Sequence, residues 1–196
     1  MCIFVESMTR TYPMTDPLEL IHNYYRNQPE LEKTLLEHSR MVATRALDIV
    51  KGHPEWRVDP EFVYEAAMLH DIGILYTDAP GIHCRGTRPY LSHGILGGNI
   101  LRHQGLVRHA RVAERHTGTG LTAQQIAQRG LPLPQVDLIP LSLEEQVVCY
   151  ADKFYSKSRP GVEKTCQQVE QSLAKFGPQG VAIFKRWSQM FEQNSR

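Results

Sequence analysis

Ala66-Ala67-Met68-Leu69-His70-Asp71-Ile72-Gly73 sets an imidazole and a carboxylate side by side within an apolar, helix-forming run. Buried together, the two groups are costly unless each finds a partner. A bound cation is a partner that satisfies both. Four further candidate ligands stand along the chain: His38 upstream, then His93, His116 and Asp152, each on what reads as a separate helix. Fold and function both turn on whether these six side chains meet.

Outward from that stretch, the periodicity predicts helix almost throughout. Asp16-Pro17 supplies an N-cap and a first-turn proline for a helix to about Gln28. Pro29 opens a second helix to about Lys51, with Gly52 as its stop. Leu31, Leu35, Val42, Ala46 and Ile49 form its apolar stripe, and His38 falls on that stripe, which points its ring at the core. Asp59-Pro60 repeats the cap signal and opens the helix that carries His70 and Asp71 to Gly73. Residues 74–89, rich in Gly, Pro and Asp, read as a loop of a length usually found in lids and binding loops.

Helices are expected from about Pro89 to Gln104, carrying His93, and from about Leu106 to Thr117, carrying His116, before Gly118 and Gly120 break the pattern. Thr122-Ala123-Gln124-Gln125 and Ser142-Leu143-Glu144-Glu145 read as capping boxes. The first starts a short helix ending near Gly130, the second the helix that bears Asp152. Leu131-Pro132-Leu133-Pro134 cannot be helical. Helices over about 161–176 and 178–192 close the chain. With no strand, repeat or low-complexity linker in view, the expected fold class is a single all-α domain over residues 15–192, behind a poorly ordered tail of residues 1–14. Translation starting at Met14 fits that tail.

At 196 residues the chain can bury a core without staples. A net charge of +1 offers no electrostatic footprint for a nucleic-acid polymer or an anionic membrane, so a small substrate is expected. Cys2, Cys84, Cys149 and Cys166 show no Cys-x-x-Cys spacing, which fits a reducing cytoplasm. Cys84 is the one cysteine in a polar loop near the proposed site; a passive thiol is the expectation there, a reactive one the alternative. No transmembrane stretch or signal-peptide core is present.

Each outer ligand shares a face with apolar neighbours: His93 with Leu96 and Ile100, His116 with Val112 and Ala113, Asp152 with Val148 and Tyr155. That is what an inward-facing ligand in a helical bundle requires. Mixed imidazole and carboxylate donors suit iron, manganese, nickel, cobalt or zinc. Six ligands exceed what one tetrahedral ion needs. They make a natural set for two divalent transition-metal ions about 3.5–4 Å apart, bridged by a carboxylate and a hydroxide, with Asp71 the obvious bridge.

The order His38, His70-Asp71, Asp152 resembles the HD-domain superfamily of metal-dependent phosphohydrolases, and the intervening His93 and His116 match its dinuclear subset. Leu69-His70-Asp71-Ile72-Gly73, Glu114-Arg115-His116-Thr117-Gly118 and Tyr150-Ala151-Asp152-Lys153 support the likeness, which spans about residues 30–160. The run from His83 to Lys157 is similar to a small, poorly characterised group of prokaryotic members, and more distantly to bacterial diadenosine tetraphosphate hydrolases. The resemblance implies an HD-type helical bundle with packing helices at 161–192. It implies one metal on His38, His70, Asp71 and Asp152, and a second sharing Asp71 and taking His93 and His116. The implied activity is cleavage of a phosphoester or phosphoanhydride in a small molecule, a nucleotide being the expected substrate, with a homodimer compatible. Ile74 stands where cyclic-dinucleotide phosphodiesterases of the superfamily carry a lysine, and no Gly-Tyr-Pro occurs, which argues against that substrate.

Phosphate must be held by cations or helix N-termini. Arg85 and Arg88 lie in the loop after the doublet and Lys153 adjoins a ligand; all three are candidates for substrate contact, as is His83, also a rival for the second metal. Asp78 is a candidate acid or base. His103 and His109, flanking Gly105, read as surface or capping residues, and Tyr12, Trp56 and Trp187 as packing. Two other functions share the ligand pattern: a mixed-valent di-iron oxygenase of the same superfamily, and a non-catalytic metal- or nucleotide-binding regulatory module.

Overall fold

The computed structural model describes residues 16–192. The expected tail over 1–14, with Cys2, Tyr12 and the Met14 start, lies outside them. Nine α-helices are present among the described residues: α1 (Pro17–Tyr25), α2 (Pro29–Gly52), α3 (Pro60–Leu69), α4 (His93–His103), α5 (Val107–Arg115), α6 (Ala123–Gln128), α7 (Leu143–Asp152), α8 (Cys166–Ala174) and α9 (Pro178–Phe191). The all-α expectation stands. The caps do what their chemistry allows. Asp16 Oδ1 accepts from the Leu18 N–H at 2.8 Å, and Asp59 Oδ1 from Glu61 and Phe62. Thr122 and Gln125 close a full capping box. The second box is only half made: Ser142 accepts from the Glu145 N–H, but the Glu145 carboxylate turns to the Leu141 N–H at 2.8 Å and to Arg115.

Helix α2 is the longest element, packed against α3 and α7, and α4 pairs with α5, which packs in turn on α3 and α7. Their facing residues, among them Leu35, Val42, Ala46, Val63, Ala66, Ala113 and Val148, are buried in one core. The closing helices pack Phe184 and Phe191 onto Tyr150, and Phe184 also onto Phe154, with Trp187 buried in the same core. Arg45 clamps this end to α2, paired with Glu163 and Glu192 and lying 3.6 Å from the Phe154 ring centre. Trp56 stacks on His53 with 3.8 Å between rings.

Two expectations are corrected. Residues 74–89 are not an unstructured loop. A 3-10 turn, Ile72–Tyr76, leads into a small sheet of β1 (Thr77–Ala79), β2 (Cys84–Arg85) and β3 (Arg88–Pro89), ordered β2-β1-β3. β1 runs antiparallel to β2 with Asp78 opposite Arg85, and parallel to β3 with Thr77 opposite Arg88. Strands of two or three residues carry no readable alternation. The tight return depends on Gly86, where a Cβ would sit 2.1 Å from the Tyr76 carbonyl. The second correction is His109, which is buried rather than superficial. Its Nε2 lies 3.1 Å from Glu65 Oε2, and its ring meets Phe62 edge-on.

Candidate metal centre

Five of the six ligand candidates sit at helix ends, not inside helices. α3 stops at Leu69, so His70 is its C-cap and Asp71 lies just beyond, with φ −106° and ψ 9°. His116 caps α5, Asp152 ends α7 and His93 begins α4. Helix ends leave carbonyls without an internal partner. The His70 Nδ1–H donates to the Ala67 carbonyl at 2.7 Å and the His116 Nδ1–H to the Ala113 carbonyl at 2.7 Å. His93 does the same to the Tyr90 carbonyl at 2.6 Å, in the 3-10 turn Tyr90–Ser92. Each ring uses the carbonyl three residues back, and each is thereby fixed with Nε2 as the free nitrogen. His38, in mid-helix, has no such carbonyl to use, and its Nδ1 has no hydrogen-bond partner among the described residues.

The free nitrogens converge in two groups sharing Asp71: His38, His70, Asp71 and Asp152 in one, Asp71, His93 and His116 in the other, with ligand atoms in each within 4.8 Å of one another. Asp71 Oδ2 lies 3.2 Å from His38 Nε2 and 2.9 Å from His70 Nε2, and Asp152 Oδ1 is 3.0 Å from His38. Asp71 Oδ1 lies 3.3 Å from His93 Nε2 and 3.5 Å from His116 Nε2. Donors about 2.0–2.2 Å from one ion stand roughly 3 Å from each other, so these separations fit ligands around a common centre.

The electrostatics fit too. His93 Nε2 and His116 Nε2 are 2.9 Å apart. With both Nδ1 positions donating, two lone pairs face each other across that gap unless something positive lies between them. Burial pushes His93 down to about 3 and lowers His116, so both rings are neutral near pH 7. Burial would also lower His70, but the Asp71 and Asp152 carboxylates outweigh it and raise His70 to about 9. Burial opposes ionisation of Asp71 and Asp152; His70 with Lys157, and Lys153 with His38, hold them well below the usual carboxylate range. Both Asp71 oxygens are buried, with four imidazole nitrogens and the Lys157 ammonium around them. Imidazole nitrogens stand within 3.5 Å of both Asp71 oxygens, which are the surroundings a carboxylate shared by two ions would need.

A cavity of about 450 Å³ opens onto this centre, lined by Tyr90, His93, His116, Asp152, Lys153 and Lys157 among others. Of the expected substrate residues, Lys153 lines it, but its ammonium is engaged by Asp152 Oδ2 at 2.7 Å and the His116 carbonyl at 2.8 Å. Asp78, Arg85 and Arg88 do not line it. They lie on the small sheet, exposed to solvent. His83 belongs to neither ligand group. It is exposed, in left-handed backbone (φ 67°), 3.4 Å from Glu30 Oε2, and lines an adjoining cavity. Cys84 is buried and burial raises its thiol, in line with the passive thiol expected.

The sequence reading missed Lys157. It lies in the turn after α7, its side chain is 10% exposed, and its ammonium touches Asp71 Oδ2. Burial would lower its pKa, but the charge of Asp71 raises it, so it stays protonated.

The family model of the HD domain matches residues 35–156. An uncharacterised protein of Methanocaldococcus jannaschii is 31% identical over 150 residues, covering 74% of this chain and 81% of that protein. The tRNA (cytidine(56)-2'-O)-methyltransferases of Picrophilus torridus and Thermoplasma volcanium are 34% identical over 102 residues and 30% over 149. The matches take in 52% and 76% of this chain but only 26% and 38% of those enzymes. Among solved structures, the HD domain of the L. monocytogenes phosphodiesterase PgpH superposes with a TM-score of 0.51 at 17% identity, over 85% of this chain and 93% of that one. The same domain in complex with cyclic-di-AMP gives 0.51 at 16%, over 89% and 94%. These structures share the fold. No described helix is long and apolar enough to cross a membrane.

Proposed function

The chain belongs to the HD-domain family, and we propose on that basis that it is a metal-dependent hydrolase of a phosphoester or phosphoanhydride bond in a small phosphorylated molecule, a nucleotide being the favoured class. The observation that carries this reading is the pair of neutral imidazoles, His93 and His116, whose free Nε2 atoms face each other at 2.9 Å beside the buried Asp71 carboxylate. His38, His70, Asp71 and Asp152 would hold one divalent ion; Asp71, His93 and His116 would hold the second. When bound, such a pair polarises a phosphoryl oxygen and makes a water nucleophilic at neutral pH.

The chain's own residues do the rest. Asp71 fixes the spacing between the two groups, and the three Nδ1–H bonds keep the rings turned inward. Tyr90 and Tyr155 offer an aromatic surface for the organic part of the substrate. A related fold that accommodates cyclic-di-AMP supports a nucleotide.

Protein purified without chelators should carry transition metal, and a panel of phosphorylated metabolites with manganese, iron, cobalt and nickel should reveal turnover. Asp71→Ala should abolish metal and turnover together. Activity surviving that change would show the site to be wrong, and oxygen uptake without phosphate release would point to the oxygenase instead.

A further inference from the structure

We propose that Lys157 binds a nonbridging oxygen of the substrate phosphate, and that the site it completes selects a dianionic terminal phosphate over a monoanionic phosphodiester. This rests on the hydrolase reading above and says which phosphate that hydrolase takes.

The backbone places Lys157 firmly. The turn after α7 is pinned by the Ser156–Arg159 bridge, with the Arg159 N–H donating to the Ser156 carbonyl at 2.9 Å. From there the side chain runs inward to Asp71 Oδ2 and the Tyr90 hydroxyl. Comparison with Lys153 is instructive. Lys153 spends its donors on Asp152 and the His116 carbonyl, and so reads as part of the frame. Lys157 has no carbonyl partner among the described residues, and it lines both the 450 Å³ cavity and the adjoining one of about 400 Å³. A buried ammonium needs more anionic company than one carboxylate already ringed by four imidazoles.

Charge balance names that company. The lysines at 153 and 157 already offset the carboxylates of Asp71 and Asp152. Asp152 is the only carboxylate among the described residues lining the main cavity. Each divalent ion in the proposed site therefore adds two charges that no side chain there cancels. The ligand that best neutralises them is the one with most negative charge on its reacting phosphate, which is a terminal monoester. A diester brings a single charge. The adjoining cavity is lined by Glu30 and Glu37 beside Lys33 and His83, so it does not read as a second phosphate pocket.

In the reaction, water oxygen bonds to phosphorus as the bond from phosphorus to the alcohol oxygen breaks. The alcohol leaves with a proton from the water, and inorganic phosphate remains. Lys157 neither gains nor loses a proton; it neutralises a nonbridging oxygen throughout.

The test compares wild type, Lys157→Met and Lys157→Arg as full-length, manganese-loaded proteins. Calorimetry measures binding of manganese alone and then of inorganic phosphate. Turnover of p-nitrophenyl phosphate is set against bis(p-nitrophenyl) phosphate, and circular dichroism checks folding. Lys157→Met should keep its manganese yet bind phosphate about tenfold to a hundredfold more weakly, the range for a hydrogen bond to a charged group. Lys157→Arg should recover part of that loss, and wild type should prefer the monoester. Wild-type phosphate affinity in Lys157→Met, no measurable phosphate binding by wild type, or preference for the diester would each overturn the inference and leave the hydrolase reading standing. A wild-type protein that binds no manganese would instead remove that reading, and this inference with it. Should Lys157→Met not fold, Lys157→Arg and the wild-type ester preference still decide.

Discussion

Replacing Gly73 by Ala should separate the two metal groups from each other. Gly73 lies two residues past Asp71, in the 3-10 turn against which α4 packs. A Cβ there would stand 2.2 Å from the His93 carbonyl oxygen, 2.3 Å from the Gly97 nitrogen and 2.9 Å from its Cα. All three are backbone atoms, so no side chain can swing aside. Ordinary contact begins near 3.4 Å, and moving the closest atom from 2.2 Å to that distance is a retreat of about 1.2 Å. The turn is the less yielding partner. The Tyr25 hydroxyl donates to the Ile72 carbonyl at 2.7 Å and accepts from the Leu75 N–H at 3.2 Å, and Thr77 is bonded to the Ile74 carbonyl. Helix α4 therefore moves and takes His93 with it, away from His116 and Asp71. Overpacking costs about 1–3 kcal/mol, and a backbone clash belongs at the upper end. For a chain of this size that lowers Tm by roughly 6–12 °C, at about 2–4 °C per kcal/mol. Metal analysis after desalting should find the ion of the His38 group retained and that of the His93 group lost. Gly52→Ala is the control: it ends α2 with nothing within 4 Å, so its melting point should hold or rise. A Gly73→Ala protein with two ions and an unchanged melting curve would refute the argument.

Tyr25→Phe should destabilise the protein by about 1–3 kcal/mol in urea titrations, because it strips a partner from two backbone groups in the turn that carries Asp71; a cost near zero would mean that water replaces the hydroxyl. Cys84 and Cys149 should resist Ellman's reagent at pH 8 in the native protein and react after denaturation. Burial raises both thiols, Cys149 to about 12, and the Cys149 thiol donates to the His116 carbonyl at 3.3 Å. Prompt native labelling of either, located by peptide mapping, would contradict their placement.

What the sequence disclosed follows from range. His38, His93, His116 and Asp152 were legible as inward-facing because each repeats the three- and four-residue spacing of its apolar neighbours, a signal contained within one helix. Caps at Asp16, Asp59 and Thr122 were legible for the same reason: donor and acceptor are two or three residues apart. Glu145 shows where such reasoning stops. Its spacing from Ser142 is right for a capping box, but Arg115, thirty positions earlier, competes for the carboxylate with a stronger, charge-assisted bond. Lys157 was invisible because it lies beyond a helix end, where no periodicity assigns a direction. The only hint was a cluster of cations, Lys153, Lys157 and Arg159, before the Pro160-Gly161 turn signal. His109 was misjudged because its partner, Glu65, belongs to another helix.

The placement of the candidate ligands at helix ends explains how a modest bundle holds so polar a centre. Within a helix, backbone carbonyls are committed, and a buried imidazole must find a second partner elsewhere or go without, as His38 Nδ1 does. At a terminus the last carbonyls lack partners, so an inward-turned histidine and its own helix end relieve each other's deficit. His70 and His116 do this at the ends of α3 and α5, and His93 borrows the carbonyl of a 3-10 turn. One short bond thereby closes the helix end, fixes the tautomer and aims a lone pair. The burial that drives the core together then also keeps His93 and His116 unprotonated, which is the state a metal needs. Shortening a helix so that its histidine falls at the end, rather than lengthening it through the doublet as the apolar run alone would favour, is therefore what leaves a buried imidazole with a lone pair free to bind a metal.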